Sequence, residues 1–234
     1  METIILAGGF GTRLQRTIKN IPKSMARVNN KPFLEYIIKN LINNGIDKII
    51  LAVGYKKENI MGYFGTSYQN IPIDYSMEEE PLLTGGAIKK ALNMTTEKDV
   101  FIVNGDTFFD IDFSAMIDLH SKKNADLTIA VKKMKNFDRY GTIEIKDYRI
   151  IKFNEKKYCE LGIINGGIYC MKRTCLNEIE KKSFSIERGY MEGNCKKKYF
   201  YAFESDKYFI DIGIPEDYYK AQIDFKSIFK GTTI

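Results

Sequence analysis

The residues with the clearest capacity for chemistry are three glycines and two cations near the start of the chain. Gly8, Gly9 and Gly11 follow an apolar run, and Arg13 and Lys23 come soon after them. A glycine backbone can turn its N–H groups toward an anion, and a guanidinium and an ammonium can close over that anion. The spacing has neither the Gly-Lys-Ser/Thr of a P-loop nor the third glycine of a dinucleotide fingerprint. It therefore predicts a phosphate cradle, with an ordinary strand-to-helix glycine turn as the alternative.

Two aspartates could hold a metal ion beside that cradle. Asp106 ends the apolar run 101–106, and Asp211 lies in the apolar stretch 209–213. In an open parallel sheet, ligands bind beyond the carboxyl ends of the strands, which is where Asp106 falls. Two carboxylates that face a phosphate suit Mg²⁺, because this hard ion binds through one or two carboxylates plus phosphate oxygens. Each aspartate could instead cap a helix or pair with a cation.

The elements that must position these groups alternate between strands and helices in the first half of the chain. The predicted strands are residues 2–6, 48–53, 71–76 and 100–103, and the predicted helices are residues 33–42, 56–63 and 85–94. This order predicts an α/β fold of the three-layer, Rossmann-like type, with a mainly parallel mixed sheet and helices on both faces.

After residue 126 the pattern changes to shorter strands. The predicted strands are residues 127–132, 142–146, 149–154 and 163–171, and a closing helix is predicted over residues 216–229. Pro215 favours the start of that helix, because proline suits the first helical turn. No linker or low-complexity segment separates the halves, so residues 1–234 are predicted to form a single domain in which the second half extends the sheet.

Several segments of the chain resemble the sugar-1-phosphate nucleotidyltransferases, in residue types and in order. The matching segments are residues 8–14 with 22–23, 80–87, 104–106, 140–142, 153–156, 165–167 and 209–213. The resemblance implies attack of a sugar 1-phosphate on the α-phosphorus of a nucleoside triphosphate, with release of pyrophosphate. It also implies a nucleotide-binding part, residues 1 to about 125, and a sugar-phosphate-binding part, residues from about 126 to 234.

The resemblance implies a role for each candidate residue. Arg13 would hold the departing pyrophosphate, and Lys23 would contact the triphosphate. Asp106 and Asp211 would carry Mg²⁺, and Lys156 would bind the sugar phosphate. The further nucleotide-binding candidates are Leu6, Ala7, Gly8, Gly9, Gly11, Thr12, Thr84, Gly85 and Asn104. The further sugar-binding candidates are Gly141, Glu155 and Asn165.

Departures from the usual family motifs indicate a subgroup. The usual Leu-Gly-Thr-Gly-Gly-Ala has Leu83 in place of its first glycine, beside the expected base pocket, and Ser24 and Arg27 alter the loop after Lys23. The motif with Leu83, together with residues 209–218, is similar to the subgroup that joins GTP and D-glycero-α-D-manno-heptose 1-phosphate into GDP-heptose for bacterial surface polysaccharides. UTP or CTP with another sugar phosphate, and a non-catalytic nucleotide-sugar-binding regulatory subunit, stay open as alternatives.

Composition argues against several other classes of protein. No apolar stretch is long enough to span a bilayer, so no membrane partner is expected. The net charge is +6, but the lysines are scattered, which favours solvated faces over a nucleic-acid surface. The four cysteines have no CxxC spacing, which favours a reduced, cytoplasmic protein over zinc or disulfides. His120 is expected at the surface or as a helix cap, and a homodimer is one option for the oligomeric state.

Overall fold

The computed structural model describes residues 1–9, 11, 14, 18 and 20–230. The candidate residues Thr12 and Arg13 lie outside the described residues. Within the described part of the chain, the helices are too short or too polar to cross a membrane.

Strands and helices alternate in the first half, as the sequence predicts. The strands are β1 (Glu2–Leu6), β2 (Arg27–Val28), β3 (Lys31–Pro32), β4 (Lys48–Val53), β5 (Ser67–Tyr68), β6 (Ile71–Met77), β7 (Asp99–Asn104) and β8 (Thr107–Phe109). The helices are α1 (Phe33–Asn43), α2 (Lys57–Phe64), α3 (Leu83–Leu92) and α4 (Phe113–Lys122). The strands and helices predicted here are confirmed, with ends displaced by no more than the one or two residues typical of helix boundaries.

The second half contributes mostly strands. These are β9 (Leu127–Phe137), β10 (Ile143–Lys146), β11 (Arg149–Phe153), β12 (Cys159–Lys172), β13 (Phe200–Glu204) and β14 (Phe209–Asp211). The helices are the short α5 (Glu192–Asn194), which continues a π-helical turn at Glu187–Met191, and the closing α6 (Pro215–Ile228). β9 and β12 are longer than predicted, because the two strands pair antiparallel as far as Cys159 opposite Phe137.

One ten-stranded sheet runs through both halves of the chain. Its strand order is β10-β11-β13-β9-β12-β7-β1-β4-β6-β5. β7, β1, β4 and β6 pair in parallel, whereas β12 lies antiparallel between β7 and β9. The carboxyl ends of the four parallel strands therefore meet at one edge of the sheet, where an open α/β sheet binds its ligands.

Helices cover both faces of this sheet. On β1, the fully buried side chain of Ile5 belongs to a core formed with α1, α4 and α6. The neighbouring Ile4, also fully buried, belongs to a second core formed with α3 and residues 184–191. Successive side chains of a strand point to opposite faces, so the two cores lie on opposite sides of the sheet. The predicted three-layer α/β fold is confirmed.

His120 lies in the interior, and the expectation of a surface or capping position is wrong. Its Nδ1 is 2.9 Å from Thr128 Oγ1, and its Nε2 is 3.3 Å from Asp99 Oδ1. Burial lowers the pKa of this imidazole, against the opposing effect of the Asp99 carboxylate. The error has a simple cause: α4 packs onto the sheet through this side chain, and that long-range contact has no counterpart in the local pattern.

Candidate functional site

A lysine and two aspartates from distant parts of the chain meet at the carboxyl edge of the sheet. The Lys23 ammonium is 2.5 Å from Asp106 Oδ2 and 3.5 Å from Asp211 Oδ1. The lysine side chain is only 14% exposed, and those of Asp106 and Asp211 are 36% and 24% exposed. These three residues, named here the Lys23 cluster, are all candidates from the sequence, and the structure brings them together.

A short antiparallel ribbon explains how Asp211 reaches Asp106. β8 pairs with β14 so that Thr107 lies opposite Asp211. The Ile212 N–H also donates to the Asp106 carbonyl oxygen at 3.0 Å. The two carboxylates thus lie side by side although they are far apart in the chain. Sequence reasoning missed both strands, because a strand of three residues is too short to show periodicity.

Two glycines allow the backbone to close around the Lys23 cluster. A Cβ on Gly105 would lie 2.6 Å from the Leu6 carbonyl oxygen, so only glycine lets the end of β7 approach the end of β1 this closely. Gly11 has a φ of +60°, and a Cβ there would lie 2.7 Å from the Cβ of Lys23. Gly11 of the predicted cradle therefore lies directly against Lys23, and its backbone conformation and close contact both require glycine.

The charges of the Lys23 cluster depend on one another. Burial raises the pKa of Asp211, and the neighbouring Asp106 carboxylate raises it further. The Lys23 ammonium opposes this increase, and so does the Gly213 N–H, which donates to Asp211 Oδ1 at 2.7 Å. Two carboxylates so close together are both ionised only when cations and donors offset their repulsion. The site is therefore built to hold positive charge between them.

Asp211 is also contacted by the segment that contains Arg139 and Tyr140, far from it in the chain. The Tyr140 hydroxyl lies 3.5 Å from Asp211 Oδ2, and the Arg139 guanidinium donates to that hydroxyl at 2.8 Å. Arg139 in turn pairs with Asp217 at the start of α6. Burial and the Asp211 carboxylate both raise the pKa of Tyr140, so the phenol keeps its proton at neutral pH. Sequence reasoning assigned no role to Arg139 or Asp217, because an ion pair between distant segments produces no spacing signal.

The pair Asp106 and Asp211 suits Mg²⁺ better than it suits a metal ion that the protein must enclose with its own ligands. Within the described residues, no three or more His, Cys, Asp or Glu side chains gather where they could enclose an ion. Two adjacent carboxylates next to the predicted phosphate cradle instead match the way Mg²⁺ is bound, through few protein ligands together with substrate phosphates.

Gly8, Gly54 and Glu78 follow the carboxyl ends of β1, β4 and β6 and pack closely against one another. A Cβ on Gly8 would lie 2.9 Å from Glu78 Oε1 and 3.1 Å from the Gly54 nitrogen. A Cβ on Gly9 would meet no described atom within 4 Å, so the next residue faces open space. Sequence reasoning did not include Gly54 or Glu78. The available signals were a glycine directly after the predicted strand 48–53 and an acidic residue two positions after the predicted strand 71–76.

Three further candidates end strands at the same edge. Leu6 and Asn104 are register partners at the carboxyl ends of β1 and β7. The Ala7 N–H donates to the Ala52 carbonyl oxygen at 2.8 Å, which continues the pairing of β1 with β4. A Cβ on Gly167 would lie 2.8 Å from Asn104 Nδ2, so the Asn104 amide is enclosed by β12. These residues shape the edge on which the predicted cradle lies.

Thr84 and Gly85 at the start of α3 are engaged with the segment 184–187. The Thr84 hydroxyl accepts from the Ile186 N–H at 2.9 Å and lies 3.3 Å from Glu187 Oε2. A Cβ on Gly85 would lie 2.2 Å from the Phe184 ring, so packing alone already requires glycine there. Contact of these residues with a nucleotide stays a prediction.

Leu83 replaces the usual family glycine but keeps a backbone typical of glycine. Its φ is +59°, and its side chain is 58% exposed at the start of α3. The left-handed conformation costs a residue with a Cβ about 1–2 kcal/mol. Leu83 therefore adopts a strained backbone conformation and presents an exposed apolar side chain.

The sugar-binding candidates Gly141 and Asn165 are held firmly by their surroundings. A Cβ on Gly141 would lie 2.4 Å from the Asn154 carbonyl oxygen, so the chain just before β10 closely approaches the chain just after β11. The Asn165 amide donates to the Tyr169 hydroxyl at 2.9 Å and accepts from the Gly167 N–H at 2.9 Å. These two contacts set the orientation of the amide.

The other two sugar-binding candidates are exposed. Glu155 and Lys156 lie in the loop between β11 and β12, where Glu155 is 78% exposed and lies 3.4 Å from Arg188. Neither residue forms an ion pair with the Lys23 cluster. The structure therefore leaves both side chains accessible to a ligand.

Comparison with known proteins gives a consistent result. Residues 2–227 match the family model described as nucleotidyl transferase. The D-glycero-alpha-D-manno-heptose 1-phosphate guanylyltransferase of Aneurinibacillus thermoaerophilus is 52% identical over 95% of this chain and 97% of its own length. The enzyme of the same name from Campylobacter jejuni is 47% identical over 94% of this chain and 97% of its own length.

Solved structures show the same fold. HddC from Yersinia pseudotuberculosis is 36% identical, over 96% of this chain and 99% of its own. The crystal structure of HddC has a TM-score of 0.88 with this chain, and the crystal structure of HddC complexed with GMP-PN has a TM-score of 0.87.

Proposed function

This chain belongs to the nucleotidyl transferase family, and from that premise we propose that it joins GTP to D-glycero-α-D-manno-heptose 1-phosphate. The products are GDP-heptose and pyrophosphate. Two relatives named for this reaction share 52% and 47% identity along nearly the whole chain, which supports the choice of both substrates. The HddC structure with GMP-PN supports a guanine nucleotide as the donor.

The observation that carries the proposal is the Lys23 cluster beside the glycine cradle. Both reactants are anions, so the protein must offset their repulsion and align them for in-line attack. Positioning and electrostatics account for nearly all of the catalysis in such transfers. A half-buried ammonium between two carboxylates, at the carboxyl edge of a parallel sheet, provides charged groups whose positions are already set.

The reaction needs no general base from the protein. A phosphate oxygen of the sugar 1-phosphate is already ionised at neutral pH, and it attacks the α-phosphorus of GTP. The bond from the α-phosphorus to the bridging oxygen of the β-phosphate breaks, and pyrophosphate leaves with that electron pair. Lys23 is proposed to neutralise phosphate oxygens at the cradle, and Arg13 is proposed to hold the departing pyrophosphate with its fork of donors.

We further propose that Asp106 and Asp211 hold Mg²⁺ together with phosphate oxygens. When bound, Mg²⁺ would neutralise the charge that develops on the phosphates during transfer. The role of the chain in this step is to hold two carboxylates side by side on the β8–β14 ribbon. The Tyr140 hydroxyl and the Gly213 N–H orient the Asp211 carboxylate from two directions.

On the second half of the sheet we propose the sugar-phosphate site. Lys156 would bind the phosphate, and Glu155, Asn165 and the backbone at Gly141 would hydrogen-bond sugar hydroxyls. The exposure of Glu155 and Lys156 supports this proposal, because both side chains are accessible to a ligand.

We propose that the protein works in the reducing environment of the cytoplasm. We also propose that its product supplies sugar nucleotide for bacterial surface polysaccharides. All four cysteines are free thiols, and three of them are buried. We also propose a homodimer as the oligomeric state.

A pyrophosphate-release screen tests the proposed function. ATP, CTP, GTP and UTP are each combined with several sugar 1-phosphates, including the heptose. We expect the highest kcat/KM for GTP with the heptose, and a preference over UTP on the order of 10²-fold or more, because polar groups that fit guanine are left unpaired by uracil. Comparable kcat/KM for UTP or CTP with a common hexose 1-phosphate would contradict the substrate assignment.

A further inference from the structure

Asp211 is reached by a chain of three side chains from two other segments. Arg139 and Tyr140 lie in the loop between β9 and β10, and Asp217 lies in the first turn of α6, where the helix dipole favours a carboxylate. One guanidinium nitrogen of Arg139, Nη2, donates both to Asp217 Oδ2 and, at 2.8 Å, to the Tyr140 hydroxyl. The side chains of Arg139 and Asp217 are 27% and 26% exposed, so this ion pair is partly buried. Asp217 is therefore a fixed anchor for Arg139.

The ring of Tyr140 is held by its neighbours. The ring centroids of Phe137 and Phe209 each lie 6.2 Å from its own centroid. The central carbon of the Arg139 guanidinium lies 5.2 Å from the same point. Phe209 belongs to β14, two residues before Asp211, so the ring packs against the strand that carries this aspartate. With the ring fixed, the remaining freedom is rotation about the bond from ring to hydroxyl oxygen, which decides where the proton points.

The chemistry of donors and acceptors decides that direction. A guanidinium has only donors, so the Tyr140 oxygen accepts from Arg139, and its own proton is left for another acceptor. Oδ2 of Asp211 lies 3.5 Å away, and an ionised carboxylate only accepts hydrogen bonds. A contact of this length is weak by itself, so it depends on the other groups that meet the hydroxyl. The hydrogen bonds therefore run one way, from Arg139 through Tyr140 to Asp211.

We propose that Arg139 is a positioning residue for the metal site: anchored by Asp217, it directs the Tyr140 proton at Asp211 Oδ2. The Gly213 N–H donates to Oδ1 at 2.7 Å, so both oxygens of the carboxylate are then oriented. Residues that orient a metal ligand without touching the ion commonly contribute 10- to 100-fold to metal affinity or activity. The inference rests on the proposed Mg²⁺ site, and it makes the closing helix α6 part of that site.

Isothermal titration with GTP in Mg²⁺ and in EDTA, without sugar phosphate, measures how much the metal ion contributes to nucleotide binding. The wild type should bind GTP more tightly in Mg²⁺ than in EDTA. Arg139→Met removes the donors and keeps an apolar stem, so this ratio of Kd values should fall by about 10-fold, and Tyr140→Phe should lower it equally. Binding in EDTA should not change. The double variant should lose no more than either single variant, because both residues act through one hydroxyl.

Two further variants complete the test. Asp217→Asn keeps an acceptor for Arg139 but removes the charge, so the ratio should fall by a smaller factor. If Arg139→Met does not fold, Tyr140→Phe and Asp217→Asn decide the question, and wild-type ratios in both would overturn the inference. Tyr148→Phe is the matched control for Tyr140→Phe, because it removes a hydroxyl from a tyrosine that is 63% exposed on the turn between β10 and β11. It should leave the ratio unchanged.

The other outcomes separate this inference from the proposals beneath it. Losses that multiply in the double variant would show that Arg139 and Tyr140 act independently. A lower melting temperature of Arg139→Met with a wild-type ratio of Kd values would show that the ion pair only stabilises the fold. Either result overturns the inference and leaves the metal site in place. A wild type that binds GTP equally in Mg²⁺ and in EDTA rejects the metal site as well, and a wild type that binds no GTP rejects the proposed function.

Discussion

The Lys23 cluster and the Glu155–Lys156 loop differ in how firmly the fold holds their charges. In the cluster, three half-buried side chains approach within 2.5 and 3.5 Å of one another, supported by strand pairing from both halves of the chain. In the loop, Glu155 is 78% exposed, and its contact with Arg188 is a surface ion pair of 3.4 Å. Such surface pairs contribute about 0–1 kcal/mol to stability, so they hardly restrict the loop.

The difference indicates a division of work within the site. Groups that stabilise the charge of a transferring phosphoryl group are most effective when they are fixed before the reaction, because they then need no reorganisation. Groups that recognise one substrate among several are more often found on exposed loops supported by a rigid scaffold. We therefore expect variants in the cluster to lower turnover and variants in the loop to weaken binding of one substrate.

The largest effect is expected in the cluster. Asp106→Ala or Asp211→Ala should lower kcat by about 10²-fold or more, the scale of losing one preorganised electrostatic group. Excess EDTA should abolish turnover, and Mg²⁺ should restore it. Asp110→Ala is the matched control, because Asp110 is an aspartate on the same segment, is 42% exposed, and pairs with Lys207 at 3.3 Å outside the Lys23 cluster. Full turnover in EDTA would remove Mg²⁺ from the proposal.

A smaller and more selective effect is expected in the loop. Lys156→Ala should raise the KM for the sugar 1-phosphate by about 10-fold or more, the scale of one charge-assisted hydrogen bond, with little change in the KM for GTP. The melting temperature should not change, because the side chain is exposed. Lys157→Ala removes the same charge one position along and should leave both KM values unchanged. Equal losses for both substrates would break the proposed division between the two regions.

The smallest effect concerns Leu83, a strained position beside the predicted nucleotide-binding edge. Leu83→Gly should raise the free energy of unfolding by about 1 kcal/mol, because relief of the left-handed backbone exceeds the entropic cost of glycine. Leu161→Gly is the matched control: Leu161 is 52% exposed and lies in β12, where glycine should destabilise. Denaturant titration of the two variants measures both values, and a loss of stability in Leu83→Gly would show that its side chain makes stabilising contacts.

Long elements were predictable because their signal is local. The helix α1 repeats apolar residues at helical spacing over Phe33–Asn43, and the strand β4 is a short continuous apolar run over Lys48–Val53. Both were located within a residue of their observed ends. β8 and β14 were not located, although they join Asp106 to Asp211. The elements that matter most to the site are thus the ones with the weakest sequence signal.

Single residues follow the same rule. Lys23, Asp106 and Asp211 could be named from their motifs, and the structure brings them together. Glu78 was not named, because its contacts are with Gly8 and Gly54, which follow other strands of the sheet. His120 was misplaced for the same reason, since its environment comes from other segments of the chain.

By itself, the sequence determined the class of fold and the set of groups available for phosphate chemistry, since both follow from residue types and short-range spacing. Only the tertiary structure decided which charges meet, which of them stay exposed, and that Glu78 lies against Gly8. Those outcomes depend on strand pairing and packing between residues far apart in the chain, and the free energy of such contacts is not encoded in any local pattern.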